Sequence, residues 1–247
     1  MEAASPQPPT ASPQRTGDVS AGQVVSETFS VYGQNFAALI GGSLLVFLIV
    51  GIVAGLLDST DSVILSLIAS IVRLIGYAIF VGFVVRLVQD VRDGRRDHSV
   101  GDLFSAATPA IASLILFGIL FSIGVGIGFI LLIVPGLFLL TMWSVGAPAI
   151  VVERIGAIDA FGRSWNLVKG DGWSVFGALL LILIIVIVIQ LVLVAIGAAI
   201  GVGGAIVASI IAGAITAPIY SIAVSVIYFE LAGGPTPPPA PAAPAAA

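Results

Sequence analysis

Arg73 is the residue whose type and position could do chemistry. It lies about ten residues into the apolar run that starts at Val63. On a helix that is ~15 Å in, near the middle of a ~30 Å hydrocarbon core. A guanidinium there costs several kcal/mol unless it finds a partner or water. No acid sits inside any apolar run. Its partners would be carbonyls, hydroxyls, Gln190, water or an anionic lipid phosphate. The alternative is snorkelling to the outer interface beside Asp58 or Asp61.

Arg154, Arg163 and Lys169 form a second set, on a short amphipathic segment (Glu153–Trp173) between two apolar runs. Basic groups there can meet anionic headgroups, at ~1 kcal/mol each. They equally fit an ordinary positive-inside bias. Arg163 has Asp159 four residues before it, the spacing of a weak helix pair. Trp165 and Trp173 read as interfacial anchors, and Trp143 as packing within a span. Gly124, Gly126 and Gly128 make a G-x-G-x-G, but no strand precedes it, so close helix packing is the better account. Gly51/Gly55 and Gly197/Gly201 have the G-xxx-G spacing of the same packing. His98 is the single histidine and there is no cysteine, so a metal site is not expected. Disulfides and thiol catalysis are excluded. No paired carboxylates and no nucleophile–base set is visible. Neither a cofactor nor a nucleic-acid partner is expected.

The elements that carry these residues follow from composition. The chain has 247 residues, 59% hydrophobic and 9% charged. A soluble domain carries about a quarter charged residues. So few charges cannot cover a soluble surface, and long apolar runs at this density are transmembrane helices.

In order, residues 1–20 are Pro-, Ala- and Ser-rich and are expected to be disordered, as is the Pro/Ala tail 232–247. Residues 1–20 lack the apolar stretch of a signal peptide. Between the tails a six-helix membrane domain spans 21–231. An amphipathic segment, Gly22–Phe36, sets Val25, Phe29, Tyr32 and Phe36 on one face and Gln23, Ser26, Ser30 and Gln34 opposite. Spans are expected at Ala37–Leu57 and Val63–Val88. The charged loop Gln89–Ser99 follows, then a second amphipathic segment with Val100, Leu103, Phe104 and Ala107 on one face, broken by Pro109. From Ala110 to Val152 there is no charge for 43 residues, too long for one span. Pro135-Gly136 is the expected turn, giving spans near Ala110–Val134 and Leu137–Val152. The third amphipathic segment runs Glu153–Asp171. The last spans are Trp173–Ile196 and Ala205–Phe229, joined by a flexible Gly197–Gly204 turn. Pro148 and Pro218 fall inside spans, as kinks or as the broken helices of a transporter.

Arg86, Arg92, Arg95, Arg96, Arg154, Arg163 and Lys169 all fall on one side of this arrangement, and the opposite turns carry only Asp58 and Asp61. The positive-inside rule then puts both termini in the cytoplasm.

The fold class is all-α: six transmembrane helices in three hairpins, each entered by an amphipathic interfacial elbow. The units are 21–90, 97–153 and 154–231. Each elbow carries acid-x-Phe-small: Glu27-Thr28-Phe29-Ser30, Asp102-Leu103-Phe104-Ser105 and Asp159-Ala160-Phe161-Gly162. Each hairpin ends in an acid, Asp90, Glu153 or Glu230, and the last two hairpins share Ala147-Pro148 and Ala217-Pro218. Internal repeats build many membrane bundles, although acids also cap helix N-termini.

The run Ile133-Val-Pro-Gly-Leu-Phe-Leu139, then Ala147-Pro-Ala-Ile-Val-Val-Glu153, then Ala160-Phe-Gly-Arg-Ser-Trp-Asn-Leu-Val-Lys-Gly170 resembles the glycerophosphoryl diester phosphodiesterase membrane-domain family. It is also similar to bacterial inner-membrane proteins of unknown role. The opening Val25-Ser-Glu-Thr-Phe-Ser-Val-Tyr-Gly-Gln-Asn-Phe36 resembles that family's first elbow. The resemblance covers most of 20–231 and is densest over 133–176. It implies a six-helix membrane domain; in enzymatic members catalysis belongs to a separate barrel, which has no counterpart here.

Two functions are consistent with this reading: a non-enzymatic module of the cytoplasmic membrane that organises lipids or scaffolds partners, or a permease for a small or lipid-like substrate, anionic ones included. A polar cavity reaching Arg73 would favour transport, and a dry glycine-packed centre the module. Membrane lipids are the expected partners; protein partners and oligomeric state are left open.

Overall fold

The computed structural model describes residues 19–60, 62–94 and 99–233. Asp61, Asp97 and His98, Arg95 and Arg96, and almost all of both expected tails lie outside these residues. Where the tails are described, Val19 is buried, and Ala232 completes the last helix.

Among the described residues every regular element is helical. The order is α1 (Ala21–Gln34), α2 (Phe36–Asp58), α3 (Val63–Arg92), α4 (Val100–Ala107), α5 (Ile111–Leu131), α6 (Ile133–Met142), α7 (Gly146–Glu153), α8 (Ala157–Val168), α9 (Gly172–Ala198) and α10 (Val202–Ala232). Six stretches are long and apolar enough to cross a membrane: Phe36–Asp58, Val63–Arg92, Gly101–Leu131, Ile133–Glu153, Gly172–Ala198 and Gly203–Ala232. Their outer faces stay apolar. On α2, Leu45, Leu48, Ile52 and Leu56 are all more than half exposed, a continuous apolar stripe of the kind a membrane covers.

The second helix of each hairpin is the inner one. The C-terminal half of α3, α7 and the C-terminal half of α10 touch one another, while α2, α5 and α9 flank them. The inner faces are filled by Phe80, Phe83, Val84 and Val88 of α3, Ile150 of α7, and Ile219, Ile222 and Ile227 of α10, each at most 1% exposed. The amphipathic helix α1 leaves its own hairpin and packs chiefly on α9 and α10 of the third unit.

Several boundaries differ from expectation. The second hairpin turns at Leu132, which is extended (φ −165°, ψ 157°), and not at Pro135-Gly136. Both residues sit in the first turn of α6, where a missing N–H leaves no helical bond unmade. Gly136 is needed there because a Cβ would lie 2.5 Å from the Phe129 ring, and one on Gly128 would lie 2.9 Å from the Cα of Gly136. The fourth span is not one helix. It breaks at Trp143–Val145, and Pro148 stands in the first turn of α7 instead of kinking a helix interior. Most of the expected flexible turn Gly197–Gly204 is helical. The loop is Ala199–Gly201, closed by Gly201 at φ 112° and by a backbone approach in which a Cβ on Gly197 would sit 2.5 Å from the Gly204 carbonyl oxygen. Gly124 packs on Trp143, but Gly126, Gly51 and Gly55 face open space, so the expected Gly51/Gly55 packing is not made within this chain.

The elbows also differ. On α1 the packed face is Val24, Thr28, Val31 and Tyr32; of the apolar face read from the sequence, Phe29 and, at the start of α2, Phe36 are exposed. Pro109 does not separate α4 from its span: a 3-10 turn, Thr108–Ala110, carries α4 into α5. Leu103 and Ala107 are buried, and Phe104 stacks on Phe83 at 4.5 Å; the side chain of Val100 lies outside those described. The third elbow is the helix α8, shorter than Glu153–Asp171, with Ala157, Ala160, Ser164, Leu167 and Val168 on its buried face.

Candidate functional site

Proline at 218 leaves the carbonyl of Ala214 without its helical donor. Ser43 of α2 supplies one, its hydroxyl 3.0 Å from that oxygen in a buried setting, with the Leu39 carbonyl of its own helix as an alternative acceptor at 2.8 Å. Tyr32 of α1 donates to the next carbonyl, Ile215, at 3.2 Å. Burial lifts the Tyr32 hydroxyl above the usual phenol range, so it remains a donor at neutral pH. The break between α6 and α7 is served in the same way: the Ser164 hydroxyl of α8 reaches the Met142 carbonyl at 2.8 Å. Irregular helix inside the membrane is tolerated here because side chains of other elements complete its hydrogen bonds.

Charges gather where the inner helices end. Glu153, at the end of α7, accepts from Arg163 Nε at 2.7 and 3.0 Å and from the Tyr228 hydroxyl at 2.7 Å. Arg163 thus pairs with Glu153 across the α7–α8 turn and not with Asp159. Arg92, with its side chain 3% exposed, pairs with Glu27 of α1 and lies 5.3 Å over the Phe229 ring. Glu230 stands in the electrostatic range of both Glu27 and Arg92, with one buried oxygen lacking a donor. Paired, such groups are tolerated; stripped of a partner, each becomes expensive.

The repeat motif acids part ways in this setting. Asp102 closes a capping box with Ser99, and Asp159 sits in the first turn of α8, both at helix N-termini. Glu27, mid-helix, is the ion partner of Arg92.

Arg73 and Gln190, considered together from the sequence, are not brought together. Arg73 of α3 reaches back to Asp58 at the end of α2, and both side chains are substantially exposed. This is the snorkelling geometry. Gln190 of α9 donates to Thr216 of α10 at 2.9 Å. Lys169 donates to Asn166 at 3.0 Å. Trp165 packs edge-on against Phe138, and Trp173 is 87% exposed, as a lipid-facing anchor would be. Trp143 packs against Phe161 and Gly124.

Arg154 is the one non-glycine residue with positive φ among those described (φ 56°, ψ 36°), in the left-handed position after α7 where glycine usually stands. That conformation costs about 1–2 kcal/mol for a residue with a Cβ.

A cavity of about 250 Å³ lies between α3, α5, α7 and α10. Its walls are mostly apolar, Leu74, Val81, Phe117 and Phe121 among them, with hydroxyls from Tyr77, Ser122, Ser144, Tyr220 and Ser221. Ser122 and Ser144 donate to carbonyls of their own chain segment. Tyr77 and Tyr220 stand close enough to interact electrostatically, yet neither phenol finds a hydrogen-bond partner among the described residues. Tyr77 is 48% exposed, so its ring also reaches the outer surface of the bundle. Arg73 is not part of the lining. No cluster of three His, Asp or Glu side chains able to hold a metal occurs among the described residues.

Sequence reasoning passed over Tyr77, Tyr220 and Ser43, and used Arg86 and Arg92 only for topology. Nothing in the periodicity of a uniformly apolar helix distinguishes them.

Apolar outer flanks and six helices long and apolar enough to cross a membrane define a polytopic helical membrane protein. Within that class, residues 49–230 match the profile of the uncharacterised protein family UPF0259, and the chain belongs to it. It is 30% identical over 98 residues to a UPF0259 membrane protein of Pectobacterium carotovorum subsp. carotovorum (strain PC1). That alignment covers 40% of this chain and 39% of the relative, so the chain spans about two fifths of that curated relative's length. No solved structure matches.

Proposed function

We propose that the protein is a non-enzymatic module of the bacterial cytoplasmic membrane that holds a lipid-like molecule between its hairpins, with both termini in the cytoplasm. The observation that carries this is the mostly apolar cavity between α3, α5, α7 and α10, with the Tyr77 and Tyr220 phenols in its lining. An occupant with an apolar body and one hydrogen-bonding group, such as a lipid's ester region, suits those walls. Arg73 lies outside the cavity and is tied to Asp58, which supports a lipid-holding module over an anion permease. The resemblance of the sequence to the glycerophosphoryl diester phosphodiesterase membrane domain is in keeping with a lipid-associated reading.

The test is photocrosslinking with a lipid carrying a diazirine in its acyl chain, on the full chain in nanodiscs. Adducts on the α3, α5 and α10 cavity walls, lost when Ala147→Trp fills the space, are the expected result. Adducts only on the outer faces of α2 and α9, unchanged by Ala147→Trp, would defeat the proposal. A permease is the second reading, favoured by the broken α6–α7 segment and Pro218-bearing α10 that wall the cavity. Substrate flux in proteoliposomes, abolished by Ala147→Trp, would select it.

A further inference from the structure

We infer that the turn of the second hairpin, at Leu132, ends inside the hydrocarbon of the leaflet opposite the charged helix ends, as a re-entrant tip surrounded by lipid acyl chains. The heights of the inner helices carry this. Two contacts hold their charged ends at one level. Glu153 of α7 accepts from the Tyr228 hydroxyl of α10 at 2.7 Å, and Arg92 of α3 lies 5.3 Å over the ring of Phe229, the next residue. Counted back from that level at ~1.5 Å per residue, α3 rises ~43 Å to Val63 and α10 ~39 Å to Val202, whereas α7 and α6 together rise at most ~30 Å to Ile133. The break at Trp143–Val145 shortens that rise further. The second turn therefore stands ~10 Å short of the other two. Charged groups sit at or beyond the edge of a ~30 Å hydrocarbon core, so the shortened segment stops within it.

The tip is built for such a setting. Between Ser122 and Thr141 no side chain is polar, whereas the first turn carries Asp58, Ser59, Thr60 and Ser62. Ile130, Leu131, Leu132, Ile133 and Val134 are 68–86% exposed. A docked protein would cover one side of the turn. Five consecutive exposed apolar residues suit a fluid that surrounds it. The backbone is also closed on itself. Leu132 alone separates α5 from α6, its N–H donates to the Gly128 carbonyl at 3.0 Å, and its carbonyl accepts from the Gly136 N–H at 3.4 Å. Pro135 has no N–H to leave unpaired. Hydrocarbon tolerates only backbone whose hydrogen bonds are met within the protein. None of these five residues lines the cavity, so the inference stands whether or not the cavity holds a lipid.

The native chain has no cysteine, so single cysteines report on the turns. Ser59→Cys, Leu132→Cys and Ile200→Cys are made in the full chain and placed in phosphatidylcholine nanodiscs, where both faces meet buffer. Ile200 lies in an apolar turn that the count places ~9 Å higher, and so separates height from composition. A charged maleimide reacts with thiolate, which hydrocarbon suppresses, so Leu132→Cys should label at least ~tenfold more slowly than either of the others. A spin label attached to each cysteine in detergent before reconstitution reads the surroundings. At Leu132 it should collide often with oxygen and rarely with a water-soluble nickel chelate. Labelling of Leu132→Cys as fast as Ser59→Cys, with frequent nickel collisions, overturns the inference, because the tip then reaches water. Infrequent collisions with both reagents overturn it as well, because a second copy or another protein then covers the tip. Protection of Ile200→Cys equal to that of Leu132→Cys removes the height argument and overturns it too.

Discussion

Ser43 of α2 and Ala214 of α10, 171 residues apart, are joined by a 3.0 Å hydrogen bond to the carbonyl that Pro218 strands. The proline and the serine are therefore one device. Ser43→Ala should lower stability by about 0.5–1.5 kcal/mol, the range of interhelical hydrogen bonds in membranes. With Pro218→Ala also present, the helix regains its own donor and the Ser43→Ala effect should shrink. Unfolding titrations of the four proteins in a double-mutant cycle check this; additive losses would refute it.

The Glu153 carboxylate receives both Arg163 and Tyr228. Tyr228→Phe should cost about 1–2 kcal/mol, because a charged acceptor loses a buried donor. Asp159→Asn should be nearly silent. Thermal unfolding of the two variants side by side distinguishes the Glu153 pairing from an Asp159 one.

The glycines divide by what faces them. Gly197→Ala drives a Cβ into the Gly204 carbonyl and should destabilise by about 1–3 kcal/mol. Gly51→Ala and Gly55→Ala meet nothing within 4 Å and should be neutral, or stabilising by about 0.5–1 kcal/mol through helix propensity. If Gly51→Ala proves costly instead, an interface with another chain covers that face.

Arg73 and Asp58 form an exposed pair, which is worth at most ~1 kcal/mol. Arg73→Leu should leave the protein folded and its copurifying anionic lipid within about twofold of the native level. Quantitative lipid analysis after gentle purification measures this. Loss of most of the anionic lipid would return Arg73 to the role of a lipid contact.

Six crossings place Ser59 and Ser99 on opposite sides, and the native chain has no cysteine to interfere. A cysteine at Ser59 should react with an impermeant maleimide in spheroplasts, and one at Ser99 only after permeabilisation. The reverse pattern would invert the proposed orientation.

Much of this architecture was determined by the sequence alone. The apolar runs place the spans, because hydrocarbon admits only continuous helices whose backbone bonds are met internally. The amphipathic character of α8 was legible in the sequence, since one side meets protein and the other does not. The spans offered no such signal. A helix that is apolar all round looks the same whether a given side meets lipid or protein, so the inner position of α3 and α10 could not be read. The same holds for α1, whose Val24–Thr28–Val31 face, and not the Phe29 side, is covered by the third hairpin. Charge partners were misplaced for a related reason. Spacing along one helix offers Asp159 to Arg163, whereas folding brings Glu153 and Tyr228 to the same point from α7 and α10. Only the tertiary structure decided which polar groups meet, because in a low-dielectric interior each takes the partner that packing delivers, however far away it lies in the chain.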